Sequence, residues 1–396
     1  MLSVDEAQDR IAAILRPVGT QKLPLSDAGG RVLRVPVRAT RPQPPFAASA
    51  MDGYAICATD KVPGRRLKVI GEVAAGQAAN HVVSAGEAVR IFTGAPVPEG
   101  ADAVLIQEDA DREGDTISLH DNLDDSRYIR PLGADFLAGM TIDAPRRLSA
   151  ADIALLASMN APEIEVARRP VVAIVPTGDE LVWPGDEPRP DQIIASNNFG
   201  LKAMLEAEGA EVRLLPIAAD KAETLAQVLA MTEGADLIVT LGGASVGDYG
   251  LVQDVAGQEG LDLAFYKIAM RPGKPLMAGN FKGVPMLGLP GNPVSSMVCG
   301  EIFVRPAIRA LLGLPFTAPA TVTARLAVDL HKNGGRLHYM RARVELVDGT
   351  WIATPFERQD SSLLTVLSDA NALAIRPVND PARRVGDAIE VVHLGA

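Results

Sequence analysis

From Val171 onward, runs of apolar residues alternate with segments of helical periodicity. Five apolar runs predict strands: VVAIVP (171–176), EVRLLPI (211–217), DLIVTL (236–241), LDLAFYKI (261–268) and VPMLGL (284–289). Helices are predicted between them at 198–208, ended by Gly209, at 221–231, capped by Asp220, and at 251–259. Unbroken apolar strands are typical of a parallel sheet buried on both faces. The pattern predicts a doubly wound α/β domain over 171–316, whose last helix reaches Leu312 and is kinked at Pro306.

The rest of the chain predicts three further regions. Helices are expected at 4–16 and 149–158, each opened by a capping box, Ser3 with Glu6 and Ser149 with Asp152. Between them lie short strands such as LKVIGEV, AVRIFTG, DAVLIQED and DTISLH, separated by turn residues. We therefore expect a small helical linking domain (1–40 and 141–170) interrupted by an inserted β domain (41–140). Alternating strands after residue 316 predict a C-terminal β barrel or sandwich (317–396).

Composition excludes some classes of function. The chain has 396 residues and a net charge of −11, which is the wrong sign for a protein that wraps nucleic acid. No apolar run approaches the roughly 18 residues of a membrane span, and the N-terminus does not have the pattern of a signal peptide. Cys57 and Cys299 match no metal spacing and are expected to be small buried hydrophobes. We expect a cytoplasmic protein with no nucleic-acid or membrane partner.

Polar and glycine residues follow the predicted strands of the α/β domain. Ligands of open α/β sheets bind at the carboxyl ends of the strands. Glycines there let the backbone approach a ligand, and Asn292 before Pro293 presents a helix N-terminus, which favours an anion. Arg271 and Lys274 add positive charge. Ordinary glycine turns are the alternative. The predicted site for a phosphorylated small molecule comprises Thr177, Gly178, Asp179, Glu180, Asp220, Gly242, Gly243, Ser245, Gly247, Asp248, Arg271, Gly273, Lys274, Pro275, Pro290, Gly291, Asn292 and Pro293.

The carboxylates of this site need an explanation, because two of them about 4 Å apart repel by about 4 kcal/mol at an effective dielectric of about 20. A divalent cation shared with phosphate would relieve the repulsion, and oxygen ligands suit Mg²⁺. The carboxylates that would face the cleft are Asp179, Glu180, Asp220 and Asp248, and the expected ligands of Mg²⁺ are Glu180, Asp220 and Asp248. The alternatives are a helix cap for Asp220 and a solvated loop charge for Glu180. The five histidines are isolated, and no Ser/His/Asp or Cys/His arrangement indicates a covalent nucleophile.

Six motifs then point to a family. They are SAMDGYA (49–55), RIFTGAPVPEGADAV (90–104), VPTGDEL (175–181), GGASVGDYG (242–250), RPGKP (271–275) and GLPGNPVS (288–295). Together they resemble the MoeA family of molybdopterin molybdenumtransferases, which is related to the E domain of gephyrin and of plant molybdenum-cofactor enzymes. The resemblance covers essentially the whole chain in order. SAMDGYA with PGKP and LPGNPVS is highly specific, whereas TGDEL or a GG loop alone is shared with adenylyltransferase relatives.

The resemblance implies a reaction and a set of residues. The family takes adenylylated molybdopterin and molybdate, cleaves the adenylate with the help of Mg²⁺ and inserts molybdenum. It also implies an elongated homodimer in which the linking domain takes part and the cleft lies between two subunits, with the molybdopterin adenylyltransferase and molybdoenzyme-maturation proteins as partners. Activity would depend on Asp52, Asp135, Glu180, Asp220, Asp248, Lys274, Pro290 and Pro293. Substrate would also contact Ser196 and Asn197, with molybdate near Arg271, Lys274, Ser295, Arg341 and Ser361 or Ser362.

The sequence departs from the family pattern in two places. Ala195 precedes the Ser196-Asn197 pair where many relatives carry an acid, so any role of that acid is missing. The loop Gly247-Asp248-Tyr249 is shorter than in some members, which shifts the expected position of its aspartate.

Two other functions remain open. A molybdopterin adenylyltransferase would share the α/β domain, but such enzymes are typically that domain alone. A non-enzymatic scaffold like the gephyrin E domain would need an exposed apolar groove or multivalent partners, and the sequence shows neither plainly.

Overall fold

A computed structural model describes residues 1–242 and 255–395. The N-terminal region begins with helix α1 (Val4–Ile14), followed by strands β1 (Thr20–Pro24), β2 (Val32–Leu33) and β3 (Val37–Arg38), with a 3₁₀ turn at Leu25–Asp27. The predicted capping box is present: Ser3 Oγ accepts from the Glu6 amide at 3.1 Å, and Glu6 Oε2 accepts from the Ser3 amide at 2.7 Å. The buried face of α1 joins the core of the α/β region.

An inserted β region follows. Its strands are β4 (Ala48–Ser49), β5 (Gly53–Ile56), β6 (Arg66–Val73), β7 (Glu87–Ile91), β8 (Ala103–Ile106), β9 (Ala110–Glu113), β10 (Thr116–Leu119) and β11 (Ile129–Arg130), with 3₁₀ turns at Ala58–Asp60 and Gln107–Asp109. Six of them form one sheet in the order β8-β5-β7-β6-β10-β9, in which only β6 and β7 are parallel. The predicted strands are thereby confirmed.

The chain then returns to the linking region through β12 (Thr141–Ile142), β13 (Arg146–Arg147), α2 (Ala150–Ser158) and β14 (Glu163–Ala167). Strand β12 pairs with β3, so the inserted region is entered and left through one antiparallel pair. Strands β1, β14, β2 and β13 form a four-stranded sheet beside α2, which has the expected Ser149–Asp152 capping box. This linking sheet was not predicted, because its strands are short and half of them are largely exposed.

The α/β region contains β15 (Val171–Pro176), β16 (Leu181–Val182), β17 (Ile193–Ile194), α3 (Asn197–Glu208), β18 (Glu211–Leu214), α4 (Ala222–Ala230), β19 (Leu237–Leu241), β20 (Leu261–Tyr266), β21 (Met270–Arg271), β22 (Met277–Phe281) and β23 (Val284–Leu289). The main sheet has the order β18-β15-β19-β23-β22-β20. The first four strands are parallel, and β22 is antiparallel to both of its neighbours. Strand β20 therefore runs in the direction of the parallel set, with its carboxyl end at the same edge.

Three helical expectations in this region have different outcomes. Helix α3 ends at Gly209 as predicted, with φ +108° there. Helix α4 begins at Ala222 with Lys221 at the N-cap, so the expectation that Asp220 caps it is wrong. The helix expected at 251–259 falls partly outside the described residues, and 255–258 are helical.

The last helix of the α/β region is interrupted. It consists of α5 (Pro293–Cys299), a π-helical turn (Gly300–Val304) and α6 (Arg305–Leu311). Pro306 has no amide hydrogen to donate, and a shift of the hydrogen-bond ladder just before it accommodates that loss. The kink expected at Pro306 therefore takes the form of a π-helical turn at Gly300–Val304.

The C-terminal strands are β24 (Thr321–Leu326), β25 (Leu337–Val347), β26 (Thr350–Pro355), β27 (Ala372–Arg376) and β28 (Ala388–His393), with α7 (Leu364–Asp369) before β27. They pair in the order β25-β26-β24-β28-β27, and β27 pairs back to β25. The sheet is thus a closed five-stranded barrel, which decides between the two predicted forms. Strand β21 of the α/β region pairs with β25, so the two regions share a sheet edge. In the described ranges, every helix is too short or too polar to cross a bilayer.

Candidate active site

Three strand-end turns meet at the carboxyl edge of the parallel strands. The Thr177 amide after β15 donates to the Leu241 carbonyl of β19 at 2.8 Å. Gly242 follows β19 with φ +94°, and a Cβ there would lie 2.5 Å from the Thr177 carbonyl oxygen. A Cβ on Gly291, after β23, would lie 3.4 Å from the Gly242 Cα. Only glycine fits this approach at Gly242, as the sequence indicated.

A cleft of about 550 Å³ opens above these turns. The cleft is lined by residues at the ends of β15, β19 and β23 and by residues of two other segments. Ser362 comes from the C-terminal barrel, and Ile193 and Ile194 come from the short strand β17. The two isoleucines were missed at the sequence level, although they form an apolar pair in a polar loop. The predicted site residues in the lining are Thr177, Gly178, Glu180, Asp220, Gly242, Pro275, Pro290, Gly291, Asn292, Pro293 and Ser362.

The carboxylates of the cleft lie on two neighbouring loops. Asp179 Oδ1 accepts from the Asp220 amide at 3.0 Å, which joins the turn after β15 to the start of α4. Glu180 and Asp220 both line the cleft, and both are exposed. No cluster of three His, Cys, Asp or Glu side chains suited to a metal ion occurs within 1–242 and 255–395. Asp248, the third expected ligand, lies outside these ranges, as do Gly243, Ser245 and Gly247.

The loop that carries Arg271 and Lys274 is held in place by strand pairing and by the core beneath Gly273. Arg271 belongs to β21 and is paired with β25, while Gly273 has φ +113° and a Cβ there would lie 2.7 Å from Cys299 Sγ. Arg271 and Lys274 are exposed. Burial raises the pKa of the Cys299 thiol, which keeps it neutral in the core. The loop contributes Pro275 to the lining of the cleft, but neither cation is part of that lining, and Arg271 lines a separate pocket beside the barrel.

The helix N-terminus at Asn292 connects two regions. Asn292 is the N-cap of α5 and Pro293 its first residue, as predicted. The Asn292 side chain does not cap the helix; its Nδ2 donates to Ser361 Oγ at 3.1 Å, and the Val294 amide donates to the Ser361 carbonyl at 3.0 Å. Ser295, the residue after Val294, is buried. The loop of the barrel that carries Ser361 and Ser362, called the serine loop below, is therefore joined to the α/β region.

Arg341 lies beneath the serine loop. Its side chain is 1% exposed, and its two terminal nitrogens donate to the carbonyls of Asp360 and Arg358 at 2.9 and 3.2 Å. Burial lowers the pKa of this guanidinium. Ser362 is held in turn by Asp360 Oδ1, 2.6 Å from its Oγ. Arg341 thus shapes the loop that carries Ser361 and Ser362.

Asp52 and Asp135 lie elsewhere, in the inserted β region. Asp52 Oδ1 accepts from the amide and hydroxyl of Thr93 at 2.7 and 2.8 Å, and these bonds hold the pKa of Asp52 below its usual range. Thr93 was not among the predicted site residues. Asp135 is exposed on a turn, where its amide donates to Gln43. Neither aspartate lines the cleft of its own chain.

The pair Ser196-Asn197 stands at the start of α3. Asn197 Nδ2 donates to the Gly291 carbonyl at 2.7 Å, so the start of α3 is attached to the turn after β23. Ser196 is the N-cap, but its side chain makes no capping hydrogen bond.

Three family descriptions match consecutive parts of the chain. They are the MoeA N-terminal region (domain I and II) at residues 2–160, a probable molybdopterin binding domain at 173–310, and the MoeA C-terminal region (domain IV) at 323–394. A protein from Nostoc sp., named molybdopterin molybdenumtransferase, is 35% identical over 95% of this chain and 89% of its own length. Molybdopterin molybdenumtransferase 2 of Mycobacterium tuberculosis is 34% identical over the whole of both chains.

A solved structure supports the same likeness. The molybdopterin biosynthesis moeA protein from Pyrococcus horikoshii OT3 is 27% identical, covers 99% of this chain and 100% of its own, and superposes with a TM-score of 0.85.

Proposed function

The chain belongs to the MoeA family of molybdopterin molybdenumtransferases, and on this premise we propose how its cleft performs the transfer. The protein is a transferase of molybdenum cofactor biosynthesis that inserts molybdenum into molybdopterin. We propose that its substrate is adenylylated molybdopterin, that molybdate supplies the metal, and that AMP leaves with the help of Mg²⁺. The observation that supports this is the meeting of three strand-end turns and the serine loop of the barrel at one cleft.

The protein's part in this reaction is positioning and charge. An oxygen of molybdate or of water attacks the phosphorus on the molybdopterin side of the phosphoanhydride. The bond from that phosphorus to the bridging oxygen breaks, AMP departs with the bridging oxygen, and the attacking oxygen stays on the molybdopterin phosphate. Glycine backbone at Gly178, Gly242 and Gly291 allows close approach to phosphate oxygens. Arg271 and Lys274, on the loop that reaches the cleft at Pro275, would neutralise oxyanions where the bound substrate covers them, because a shielded hydrogen bond to a charged group contributes about 1.5–3 kcal/mol and an exposed ion pair only about 0–1 kcal/mol. A covalent nucleophile is not needed.

The donor set of the cleft suits Mg²⁺. This ion is usually held by one or two carboxylates together with substrate phosphates, and Glu180 and Asp220 both line the cleft. Glu180, Asp220 and Asp248 would hold it. A bound Mg²⁺ would neutralise charge that develops on the phosphate oxygens.

A second subunit completes the site in this proposal. Asp52 and Asp135 do not line the cleft of their own chain, although Asp52 is held in its ionised form by Thr93. In a homodimer the inserted region of one subunit would bring both aspartates to the cleft of the other. Sedimentation of the purified protein tests the dimer directly, and mixed dimers of Asp52→Asn and Glu180→Gln subunits would recover one complete site.

The reaction is tested with two substrate mixtures. The protein is incubated with adenylylated molybdopterin, molybdate and Mg²⁺, and separately with molybdopterin and ATP. We expect AMP release that depends on molybdate in the first mixture and no ATP consumption in the second. ATP consumption would instead indicate an adenylyltransferase, and inertness in both mixtures would indicate a scaffold.

A further inference from the structure

Arg90, on strand β7 of the inserted region, is connected to two consecutive carbonyl groups of the turn that carries Asp52. Its Nη1 donates directly to the Gly53 carbonyl at 3.1 Å, and its Nη2 donates to Gln107 Oε1 at 2.6 Å. The backbone amide of Gln107 in turn donates to the Asp52 carbonyl at 3.0 Å. One guanidinium therefore holds the backbone of this turn, once directly and once through Gln107.

The Arg90 side chain is itself held in place by two aromatic rings. Its central carbon lies 5.1 Å from the centroid of the Tyr54 ring and 4.9 Å from that of Phe92, within the roughly 6 Å over which a cation and an aromatic face attract each other. Tyr54 is also the direct partner of Arg90 in the β5–β7 pairing. A planar guanidinium with two acceptors and two rings around it has little freedom, so the turn that it binds has little freedom as well.

The Asp52 carboxylate is held by a different residue, Thr93, which follows Arg90 by three positions. The amide and hydroxyl of Thr93 both donate to Asp52 Oδ1. These two bonds first, and then the positive charge of Arg90, hold the pKa of Asp52 below its usual range. Thr93 fixes the side chain, whereas Arg90 fixes the backbone from which the side chain projects. Loss of either set of bonds would let the carboxylate move.

We propose that Arg90 is a positioning residue, which together with Gln107 fixes the Asp52 turn so that the Asp52 carboxylate enters the cleft of the second subunit in one orientation. The inference rests on the proposed function, in which Asp52 acts in that cleft, and adds the residues that hold it there. Arg90 acts through Asp52 and not on the substrate, because both of its terminal nitrogens already have acceptors within the inserted region.

The test compares Arg90→Met with wild type in the molybdate-dependent AMP-release assay. We expect kcat to fall about 10- to 100-fold, because a displacement of about 1 Å at a reacting group has an effect of this size, while the KM for adenylylated molybdopterin stays within about twofold. Arg90→Lys should not restore kcat, since an ammonium on a flexible stem does not reproduce the planar fork of a guanidinium. A raised KM with unchanged kcat would overturn the proposal, because Arg90 would then bind substrate.

Gln107 provides a second test on an exposed residue, so it remains informative if Arg90→Met does not fold. Gln107→Leu removes the acceptor of Arg90 Nη2 but keeps the backbone amide that binds the Asp52 carbonyl, and its kcat should also fall. Gln107→Glu keeps an acceptor at this position and should retain most of the wild-type kcat. Wild-type kcat in Gln107→Leu would contradict the proposed connection between Arg90 and the turn.

A matched control is Arg65→Met, in the same inserted region. Arg65 pairs with the carboxylate of Asp60 at 2.6 Å, and Asp60 is 2% exposed. Its removal leaves a buried carboxylate without its cation, so this variant should destabilise the inserted region but keep the wild-type kcat. A fall in kcat equal to that of Arg90→Met would overturn the proposal, because reduced stability of the inserted region would then explain both.

Mixed dimers separate this inference from the proposed function. Arg90→Met subunits combined with Glu180→Gln subunits should recover one complete site, whereas Arg90→Met combined with Asp52→Asn should recover none. Recovery in the second mixture would show that Arg90 does not act with Asp52 and would overturn the inference. Wild type that releases no AMP contradicts the proposed function, and the inference falls with it. An active wild type with unaffected Arg90 and Gln107 variants contradicts the inference alone.

Discussion

Asn292, at the N-terminus of a helix in the α/β region, donates a hydrogen bond from Nδ2 to the hydroxyl oxygen of Ser361 in the C-terminal barrel, 3.1 Å away. Asn292 lines the cleft, and Ser361 directly precedes Ser362, which also lines it. The bond therefore fixes the serine loop against the turn after β23. Its loss should affect the use of molybdate more than the stability of the fold.

Ser361→Ala tests this contact. We expect a loss of about 1 kcal/mol in the free energy of unfolding, since one partly exposed hydrogen bond is removed while the backbone bond from Val294 remains. The KM for molybdate should rise several-fold in the AMP-release assay. Asn292→Ala and the double variant complete a cycle, and strictly additive effects would show that the two residues do not act together.

Gly242→Ala tests the close approach of the strand-end turns. The added Cβ would meet the Thr177 carbonyl oxygen at 2.5 Å, in a backbone conformation that disfavours side chains. We expect a loss of about 2–4 kcal/mol in the free energy of unfolding and little remaining activity. Gly234→Ala is the control: it also has positive φ, but open space surrounds it, so it should lose only about 1 kcal/mol and retain activity. Equal losses would contradict the steric explanation.

Glu208 accepts hydrogen bonds from three arginines, and together they connect the linking region to the α/β region. Arg147 comes from β13, and Arg305 and Arg309 come from α6; their distances to the carboxylate are 2.8, 3.2 and 2.9 Å. Removing the carboxylate takes the anionic partner from the half-buried Arg147 and Arg309, while Arg305 keeps its pair with Glu301.

We therefore expect Glu208→Ala to lower the free energy of unfolding by about 3–5 kcal/mol in urea titrations. Glu206→Ala, on the same helix, breaks an exposed pair with Lys202 and should lose less than about 0.5 kcal/mol. A small effect of Glu208→Ala would mean that the cluster is not part of the stable core.

His338 predicts a dependence of stability on pH. Burial, and then the positive charge of nearby arginines, lowers its pKa to about 4; those arginines are Arg271, Arg341, Arg376 and Arg336. An unfolded histidine titrates near pH ~6.5. As the pH falls between these values, the unfolded chain takes up a proton that the folded chain does not, so stability declines; above the upper value the residue has no effect.

The measurement is the free energy of unfolding at pH 8 and pH 5 for wild type and His338→Gln. The contribution of His338 to the decline should be on the order of 2 kcal/mol, and the variant should lack it. An identical decline in both proteins would show that His338 is protonated while folded.

Asp248→Ala should abolish molybdate-dependent AMP release while leaving the unfolding temperature unchanged. The proposal assigns its carboxylate to Mg²⁺, and a site that loses one of its carboxylates binds the ion less tightly. AMP release is measured over a range of Mg²⁺ concentrations. Normal activity at low Mg²⁺ would remove Asp248 from the site.

The parts of the fold that follow from local patterns were predictable. Val171–Pro176 and Val284–Leu289 match their strands to the residue, because a strand buried on both faces leaves an unbroken apolar run. Strand β22 was missed because its sequence, MAGNF, contains glycine and asparagine, which are depleted in strands. The start of α4 was misplaced by one residue because Asp220 is a better N-cap by type than Lys221, which occupies that position.

The site was predictable only where topology alone determines position. Strands that run in one direction bring their carboxyl ends to one edge, so the grouping of Thr177, Gly242 and Gly291 could be inferred before any coordinates. The burial of Arg341 could not, because it depends on which loops pack around the side chain. Tertiary packing of that kind leaves no periodic signal in the sequence.

The antiparallel pair at Val37–Arg38 and Thr141–Ile142 also bears on how such a protein can arise. Arg38 and Thr141 are direct partners in register, so the two ends of the inserted region are about 5 Å apart. A gene segment that encodes a folded unit with adjacent ends can be spliced into, or excised from, a host domain in a single recombination event. A short turn between Arg38 and Thr141 should therefore leave a shortened chain that still folds, without Asp52, Asp135 and the rest of the insertion.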